Sequence, residues 1–163
     1  MKAALCCFSV FCALLVLPVG AQASINTSSG KYAGLVMDAD TGEIFYSRNA
    51  DAKRYPASLT KMMTLYMMFE ALRDGRMHLD QRLKVSSKAA SQPETNIDLR
   101  PGGHIKVRDA IKALIVRSAN DVAVVVAEAL GGSEERFTRD MTRKARSLVM
   151  RRTVFHNPHG LPD

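Results

Sequence analysis

A serine and a lysine three residues apart, in Ser58-Leu59-Thr60-Lys61, are the residues whose types and spacing could do chemistry. A serine hydroxyl is a weak nucleophile until a neighbouring base removes its proton. Residues three apart on a helix share a face, so Lys61 is expected beside the Ser58 hydroxyl. A lysine in a dry pocket has a lowered pKa and can act as that base when neutral. The spacing therefore predicts an activated serine; the alternative is a helix-capping serine beside a solvated lysine.

The setting of this pair distinguishes it from a second match to the same spacing. Ser28-Ser29-Gly30-Lys31 also places a lysine three residues after a serine, but in a small, polar stretch that cannot desolvate a lysine. Ser58 instead follows Pro56 and opens an apolar run that stops at Asp74-Gly75, which predicts a buried helix over 58–73. At the start of that helix, the main-chain N–H of Ser58 lies where an oxyanion would be stabilised.

A second polar element, Ser118-Ala119-Asn120, lies between two apolar segments with helical periodicity. A polar turn in such a place either finds hydrogen-bond partners or lies at the wall of a pocket. Ser118 could relay a proton, and the Asn120 amide could hold a substrate carbonyl or the lysine. The alternative is a capping turn in which Asn120 or Asp121 caps the next helix.

The elements that would position these residues are a hairpin and a block of helices. Residues 31–47 predict two strands joined by a turn at 39–42. Helices are predicted at 86–91, 107–117, 121–130 and from Ser133 onward, with 92–103 and 151–163 irregular. The 107–117 helix is expected to bury one face formed by Val107, Ala110, Ile111, Leu114 and Ile115. The last helix is expected to bury Phe137, Met141 and Leu148. A hairpin followed by helices predicts an α+β fold.

The N-terminus predicts export. Lys2, an apolar run over 3–19 and Ala21-Gln22-Ala23 form a signal-peptide pattern over 1–23, and the alternative is a membrane anchor. Residues 24–30 predict a flexible lead-in, and 31–163 the N-terminal part of a catalytic domain. All three cysteines lie within the predicted signal, so the mature chain would form no disulfide. We expect a periplasmic or otherwise extracytoplasmic protein.

The charge and the motifs of the chain limit the classes of partner that it could bind. The formal net charge is +7, or +6 without the predicted signal, which favours acidic partners such as an anionic wall polymer or a substrate that ends in a carboxylate. Nucleic acid is a poor candidate because the basic residues are not interleaved with aromatic ones. His156 and His159 have no nearby cysteine or glutamate that would complete a metal site. We expect no metal and no cofactor.

Four segments in order resemble the low-molecular-mass penicillin-binding proteins, the serine-type D-alanyl-D-alanine carboxypeptidases of peptidase family S11. They are DADTGE at 38–43, YPASLTKMMT at 55–64, RSAND at 117–121 and FHNPHGL at 155–161. The resemblance covers the chain from about Lys31 to its end.

This resemblance implies the β-lactamase/transpeptidase-like fold of the penicillin-recognising serine hydrolases. It implies an acyl-enzyme at Ser58, Lys61 as general base, Ser118 as proton relay and Asn120 as a substrate-binding residue. The implied substrate is a peptidoglycan stem peptide ending in D-Ala-D-Ala, from which the terminal D-Ala is removed. β-Lactams are the implied inhibitors.

The family's third motif, Lys-Thr-Gly or a close variant on a later strand, does not occur in these 163 residues. In the family that strand supplies a second oxyanion donor, and loss of one such donor costs about 10²–10³ in rate. We therefore expect the 163 residues alone to be a poor enzyme.

Two other functions compete with the peptidase interpretation. A class A β-lactamase would carry a glutamate with an asparagine four residues on, and Glu128, Glu134 and Glu135, the glutamates after Asn120, lack one. A non-catalytic peptidoglycan-binding remnant would keep the fold without turnover, and a downstream Lys-Thr-Gly strand would argue against it.

Overall fold

A computed structural model of the chain describes residues 30–162. The predicted signal peptide, and the predicted lead-in up to residue 29, lie outside the described residues. The chain divides into two units, Met1–Ala50 and Asp51–Asp163, and each is considered by itself. No helix within residues 30–162 combines the length and apolar character needed to cross a bilayer.

The described part of the first unit is an antiparallel hairpin of β1 (Gly34–Met37) and β2 (Ile44–Arg48). The carboxylate of Asp38 closes the turn by accepting hydrogen bonds from the main-chain N–H of Thr41, at 2.7 Å, and of Asp40, at 3.0 Å. These hydrogen bonds, the one from Thr41 first, lower the pKa of Asp38. Gly42 ends the turn with φ +76°, which confirms the predicted need for a glycine there.

The second unit is largely helical. A 3-10 helix (Ala57–Thr60) leads into α1 (Lys61–Arg73). Strands β3 (Arg82–Lys84) and β4 (His104–Lys106) pair in a two-stranded sheet, and the short helix α2 (Ser87–Ala90) lies between them in the sequence. The chain then forms α3 (Val107–Arg117), α4 (Asn120–Gly131) and α5 (Glu134–Ser147). The β3–β4 sheet was not predicted from the sequence, because three-residue strands are too short to show an alternating pattern.

Helix α4 is the centre of this unit, since every residue from Asn120 to Ala127 is buried. Helices α1, α2, α3 and α5 all contact it. Two predicted core residues are in fact exposed: Ile115 on α3 is 61% exposed, and Leu148, just after α5, is 41% exposed. The buried apolar face of α5 instead ends at Ala145, because Leu148 lies beyond the last helical turn.

The predicted buried helix, α1, is buried on only one side. One side of the helix, with Met63, Met68 and Ala71, packs against α3, α4 and α5. On the other side Met62 is 66% exposed, and Tyr66 and Phe69 are also exposed. A helix that packs on one side only keeps the rest of its surface accessible, and the apolar composition of α1 could not distinguish the two cases. Gly75 ends the helical segment with φ +69°, as predicted.

Candidate active site

Ser58 and Lys61 lie together where the 3-10 helix becomes α1. Lys61 Nζ donates a hydrogen bond to Ser58 Oγ at 3.2 Å, so the predicted pairing of the two side chains is present. Ser58 is exposed, whereas the whole of Lys61 is only 3% exposed. Ala57, just before the serine, has a left-handed φ of +49°, an uncommon conformation for a residue with a side chain. The hydroxyl is therefore accessible while its neighbouring amine is dry.

The amine of Lys61 is buried without a counter-ion among the described residues. Within residues 30–162 no carboxylate forms an ion pair with it. Burial disfavours the charged ammonium and lowers the pKa of Lys61 below its ordinary value of 10.5. A neutral amine is the form that can accept a proton from Ser58.

A distant segment holds the amine in place. Lys61 Nζ donates a second hydrogen bond, at 2.9 Å, to the main-chain oxygen of His159. One turn further along α1, the Thr64 hydroxyl donates to the main-chain oxygen of Pro158 at 2.7 Å. Two successive carbonyls thus bind the face of α1 that carries the lysine. When the amine is neutral, an N–H directed at His159 leaves its lone pair available to Ser58.

Asn157 and Gly160 give this segment its shape. The Asn157 side-chain oxygen accepts hydrogen bonds from the N–H groups of Gly160, at 2.6 Å, and His159, at 3.3 Å, and its Nδ2 donates to Leu161 at 2.8 Å. Gly160 has φ +87°, and a Cβ there would clash with the main-chain oxygen of Ala57 and lie 2.8 Å from Thr60 Oγ1. Only a glycine at position 160 can come this close to Ala57, the residue before the serine.

Sequence reasoning assigned no role to the residues of this segment. In the sequence, 155–161 stands out only through its resemblance to the family, and its two histidines do not form a metal site. The contacts to Lys61 and Thr64 use main-chain oxygens, which every residue type offers, so they leave no signature. The available signal was Asn157 and Gly160, two turn-forming residues in a short polar stretch.

The side chain of His159 points towards α5. Its Nε2 lies 3.6 Å from a carboxylate oxygen of Glu134, which also forms an ion pair with Lys88 at 2.7 Å. Its Nδ1 accepts a hydrogen bond from the N–H of Leu161. Within residues 30–162 no group of three or more histidine, cysteine, aspartate or glutamate side chains is arranged to hold a metal ion. The imidazole therefore packs into the protein's own network.

Ser118 and Asn120 lie at the junction of α3 and α4, both of which contact α1. Ser118 ends α3 in a left-handed conformation, φ +52°, and its main-chain oxygen accepts a hydrogen bond from the Thr95 hydroxyl at 2.8 Å. The buried Asn120 amide donates to the main-chain oxygen of Pro93 at 3.0 Å. Within the described residues, no hydrogen bond joins either residue to Ser58 or Lys61.

Asn120 does not cap α4, which was the alternative prediction for this residue. Ala119 occupies the capping position and Asn120 is the first helical residue. Its amide is directed instead at the 92–100 loop, together with its main-chain N–H, which donates to Thr95 at 2.7 Å.

Asp121 is a buried residue that the sequence analysis considered only as a cap. One carboxylate oxygen accepts hydrogen bonds from the N–H groups of Ile97 and Leu99, both at 3.2 Å. The other accepts one from its neighbour Val122 at 2.8 Å. Asp121 and Asn120 together therefore hold the 92–100 loop against the start of α4, beside Ser118.

Comparison with known proteins identifies the family of the chain. The family model for D-alanyl-D-alanine carboxypeptidase, peptidase S11, matches residues 20–163. The D-alanyl-D-alanine carboxypeptidase DacF of Bacillus subtilis is 36% identical over 131 residues, which are 80% of this chain and 34% of that protein. The chain thus spans about a third of the length of this curated relative.

Solved structures share the fold. The D-alanyl-D-alanine carboxypeptidase DacD from Francisella tularensis matches 85% of this chain and 34% of its own, with a TM-score of 0.80 and 34% identity. Penicillin-binding protein D2 from Listeria monocytogenes, solved in a cefotaxime-bound form, matches 80% of this chain and 53% of its own, with a TM-score of 0.64 and 30% identity. The fold is accordingly the predicted α+β fold of penicillin-binding proteins, and the chain belongs to the peptidase S11 family of D-alanyl-D-alanine carboxypeptidases.

Proposed function

We propose that Ser58 is the nucleophile and Lys61 the general base of a serine DD-peptidase that acts on the cell wall. The observation that carries this proposal is the 3.2 Å contact between Lys61 Nζ and Ser58 Oγ, made by a buried lysine with an accessible serine. Family membership supports it independently. The substrate would be a peptidoglycan stem peptide ending in D-Ala-D-Ala, which the protein would shorten by its terminal D-Ala.

The first half of the reaction would follow from the pair's geometry. Neutral Lys61 accepts the proton of the Ser58 hydroxyl, and Oγ attacks the carbonyl carbon of the penultimate D-Ala. The main-chain N–H of Ser58 stabilises the oxyanion. The C–N bond then breaks, the leaving amine takes up the proton, and an ester to Ser58 remains.

The second half would regenerate the serine. A water molecule attacks the ester carbonyl while Lys61 accepts its proton, and the shortened peptide leaves as Oγ is reprotonated. The hydrogen bond from Lys61 to the main-chain oxygen of His159 would keep the amine oriented through both halves.

Ser118 and Asn120 would complete the site as a proton relay and a substrate-binding residue, respectively. Ser118 is half-buried and, in the part of the chain that the structure describes, its hydroxyl makes no hydrogen bond, so it could pass a proton between Lys61 and the leaving amine. The Asn120 amide donates to Pro93 in this structure, and it would bind substrate only if that hydrogen bond were exchanged or if its oxygen were the group used. These roles rest on the family resemblance.

β-Lactams would acylate Ser58, by analogy with the antibiotic-bound relative, and the ester would turn over slowly. A class A β-lactamase would need a glutamate beside the serine to hydrolyse it. Glu128 and Glu134 instead line a surface groove of about 620 Å³ with Ser86 and Lys88, and neither Ser58 nor Lys61 borders that groove. The described residues therefore favour the peptidase.

The test is covalent labelling of the full-length protein with a fluorescent penicillin, followed by peptide mapping. The label should be found on Ser58 and should disappear in Ser58→Ala, whose fold should be retained because Ser58 is exposed. Ser28→Ala, the matched variant in the other serine–lysine spacing, should label normally. A label that maps to Ser28 or Ser118, or rapid multiple-turnover hydrolysis of penicillin, would contradict the proposal.

A further inference from the structure

The exposed side of α5 carries a row of arginines. Their spacing of three and four residues places them within about 80° of the helix circumference. They are Arg136, Arg139, Arg143 and Arg146, all exposed. The opposite side of the helix, with Phe137, Met141 and Ala145, is buried against α1 and α4. The core therefore holds α5 so that all four arginines lie on its exposed side.

The segment made of α5 from Arg136 onward and the turn after it is strongly basic. Residues 136–152 include seven arginines and lysines and a single acid, Asp140, a formal net charge of +6, whereas the whole chain carries +7. Within residues 30–162, Arg143 forms an ion pair with Asp140 and Lys144 forms one with Glu70, whereas Arg136, Arg139 and Arg146 form no ion pair with a carboxylate. The solvated side of an ordinary amphipathic helix carries charges of both signs, whereas this row is almost entirely positive.

An apolar tip adjoins the arginine row. Leu148, Val149 and Met150 follow α5 directly and are 41%, 68% and 39% exposed. The guanidinium of Arg146 donates to the main-chain oxygens of Met150 and Arg151 and so holds the tip in a tight turn. Val149 adopts φ +65°, which is strongly disfavoured for a β-branched residue and gains no burial. The local sequence thus keeps a large apolar side chain where a small turn residue would fold more easily.

We propose that the arginine row and the 148–150 tip form a docking surface for an anionic lipid bilayer. Arginines make strong, charge-assisted hydrogen bonds to phosphate headgroups. Exposed apolar side chains flanked by cations enter the boundary between headgroups and acyl chains. A soluble anionic polymer would account for the arginines but would leave the tip without a binding partner. Together, the charge and the tip therefore indicate a membrane.

The strength of such docking can be anticipated. Each basic residue near an anionic membrane surface strengthens binding by about fivefold at moderate ionic strength. Removal of three arginines should therefore weaken binding by about 100-fold. Because the interaction is screened over roughly 10 Å at 0.1 M salt, binding should also weaken as salt is added.

The absence of tryptophan from these 163 residues allows a local test in this chain. In Val149→Trp, the single indole should shift its emission to shorter wavelength with vesicles of equal parts phosphatidylglycerol and phosphatidylcholine, and brominated acyl chains should quench it. Vesicles of phosphatidylcholine alone should have neither effect. A local readout is needed because the apolar run at 3–19 could itself hold the chain on any vesicle. The indole reports only on the 148–150 tip.

Matched variants complete the experiment. Ile115→Trp replaces another exposed apolar residue, on α3, and should respond to neither vesicle. In the Val149→Trp background, replacing Arg136, Arg139 and Arg143 with glutamine should raise the required lipid concentration about 100-fold. Replacing the exposed Arg82, Lys84 and Lys112 with glutamine instead should change the required lipid concentration much less. An equal indole response to both vesicles, equal losses in the two triple variants, or binding of soluble polyphosphate with no shift on vesicles would each overturn the proposal.

Discussion

Lys61 Nζ lies 2.9 Å from the main-chain oxygen of His159, a residue 98 positions later in the chain. The lysine occupies the first turn of α1, and the histidine belongs to the irregular segment after α5. This hydrogen bond, rather than an ion pair, fixes the amine beside Ser58. A carbonyl can orient an amine without stabilising its charged form as a carboxylate would, so the lysine stays poised to act as a base.

Penicillin labelling of Ser58 in the full-length protein should become faster as pH rises. Burial lowers the pKa of Lys61, so the neutral amine should form, and labelling reach half its maximum rate, at a pH below the ordinary lysine value of 10.5. The measurement is the second-order labelling rate as a function of pH. Lys61→Arg, whose side chain stays charged, should label poorly throughout. A midpoint at or above 10.5 would argue against Lys61 as the base.

Gly160→Ala should destabilise the chain more than Gly75→Ala. Both glycines have positive φ, which costs an alanine about 1–2 kcal/mol. A Cβ at Gly75 meets nothing within 4 Å, whereas at Gly160 it clashes with the main-chain oxygen of Ala57. That overpacking adds about 1–3 kcal/mol. Urea unfolding of the two variants would test the difference, and equal losses would show that the close approach is relieved at little cost.

Asn157→Ala should loosen the segment that holds Lys61. The buried Asn157 side chain makes three hydrogen bonds within 157–161, so its loss should cost about 2–4 kcal/mol in the free energy of unfolding. The matched variant is Asn96→Ala, which removes a single amide hydrogen bond, to Gln92, and should cost about 0.5–1.5 kcal/mol.

Activity provides a second measure of the Asn157 variant. Penicillin labelling of the full-length protein should slow in Asn157→Ala, because the carbonyl that orients Lys61 would no longer be fixed. Asn157→Asp keeps the acceptor for His159 and Gly160 and should recover part of the rate. Unchanged labelling in Asn157→Ala would show that the segment's shape does not depend on this side chain.

Asp121→Ala should release the 92–100 loop. It leaves the N–H groups of Ile97 and Leu99 without their acceptor, at a total cost of about 2–5 kcal/mol. Hydrogen exchange should accelerate at these two amides more than in the rest of the chain. Asp109→Ala removes an exposed acid in the first turn of α3 and should cost less than about 1 kcal/mol. Slow exchange at both amides in Asp121→Ala would mean that other contacts hold the loop.

Export should yield a chain that begins at Ser24. The pattern at Ala21-Gln22-Ala23 predicts cleavage after Ala23. N-terminal sequencing of the protein recovered from the periplasm or culture medium would check the site. Ala23→Arg, which places a bulky charge at the cleavage position, should leave the precursor uncut. Recovery of the uncut wild-type chain in the membrane would support the anchor instead.

The sequence by itself determined the local features of this protein. Helix starts and stops were predictable because capping serines and glycines act within a few residues, as at Ser86 and Gly75. The contact between Ser58 and Lys61 was predictable for the same reason, since residues three apart in a helical turn are neighbours in any fold.

Only the tertiary structure decided what surrounds that pair. The hydrogen bond from Lys61 to His159 and the close approach of Gly160 to Ala57 both join residues far apart in the chain. Both involve main-chain oxygens, which are the same in every residue and cannot be recognised from side-chain types. Burial was misjudged at Ile115 and Leu148 because periodicity shows that a residue lies near an apolar face without showing where the neighbouring element ends.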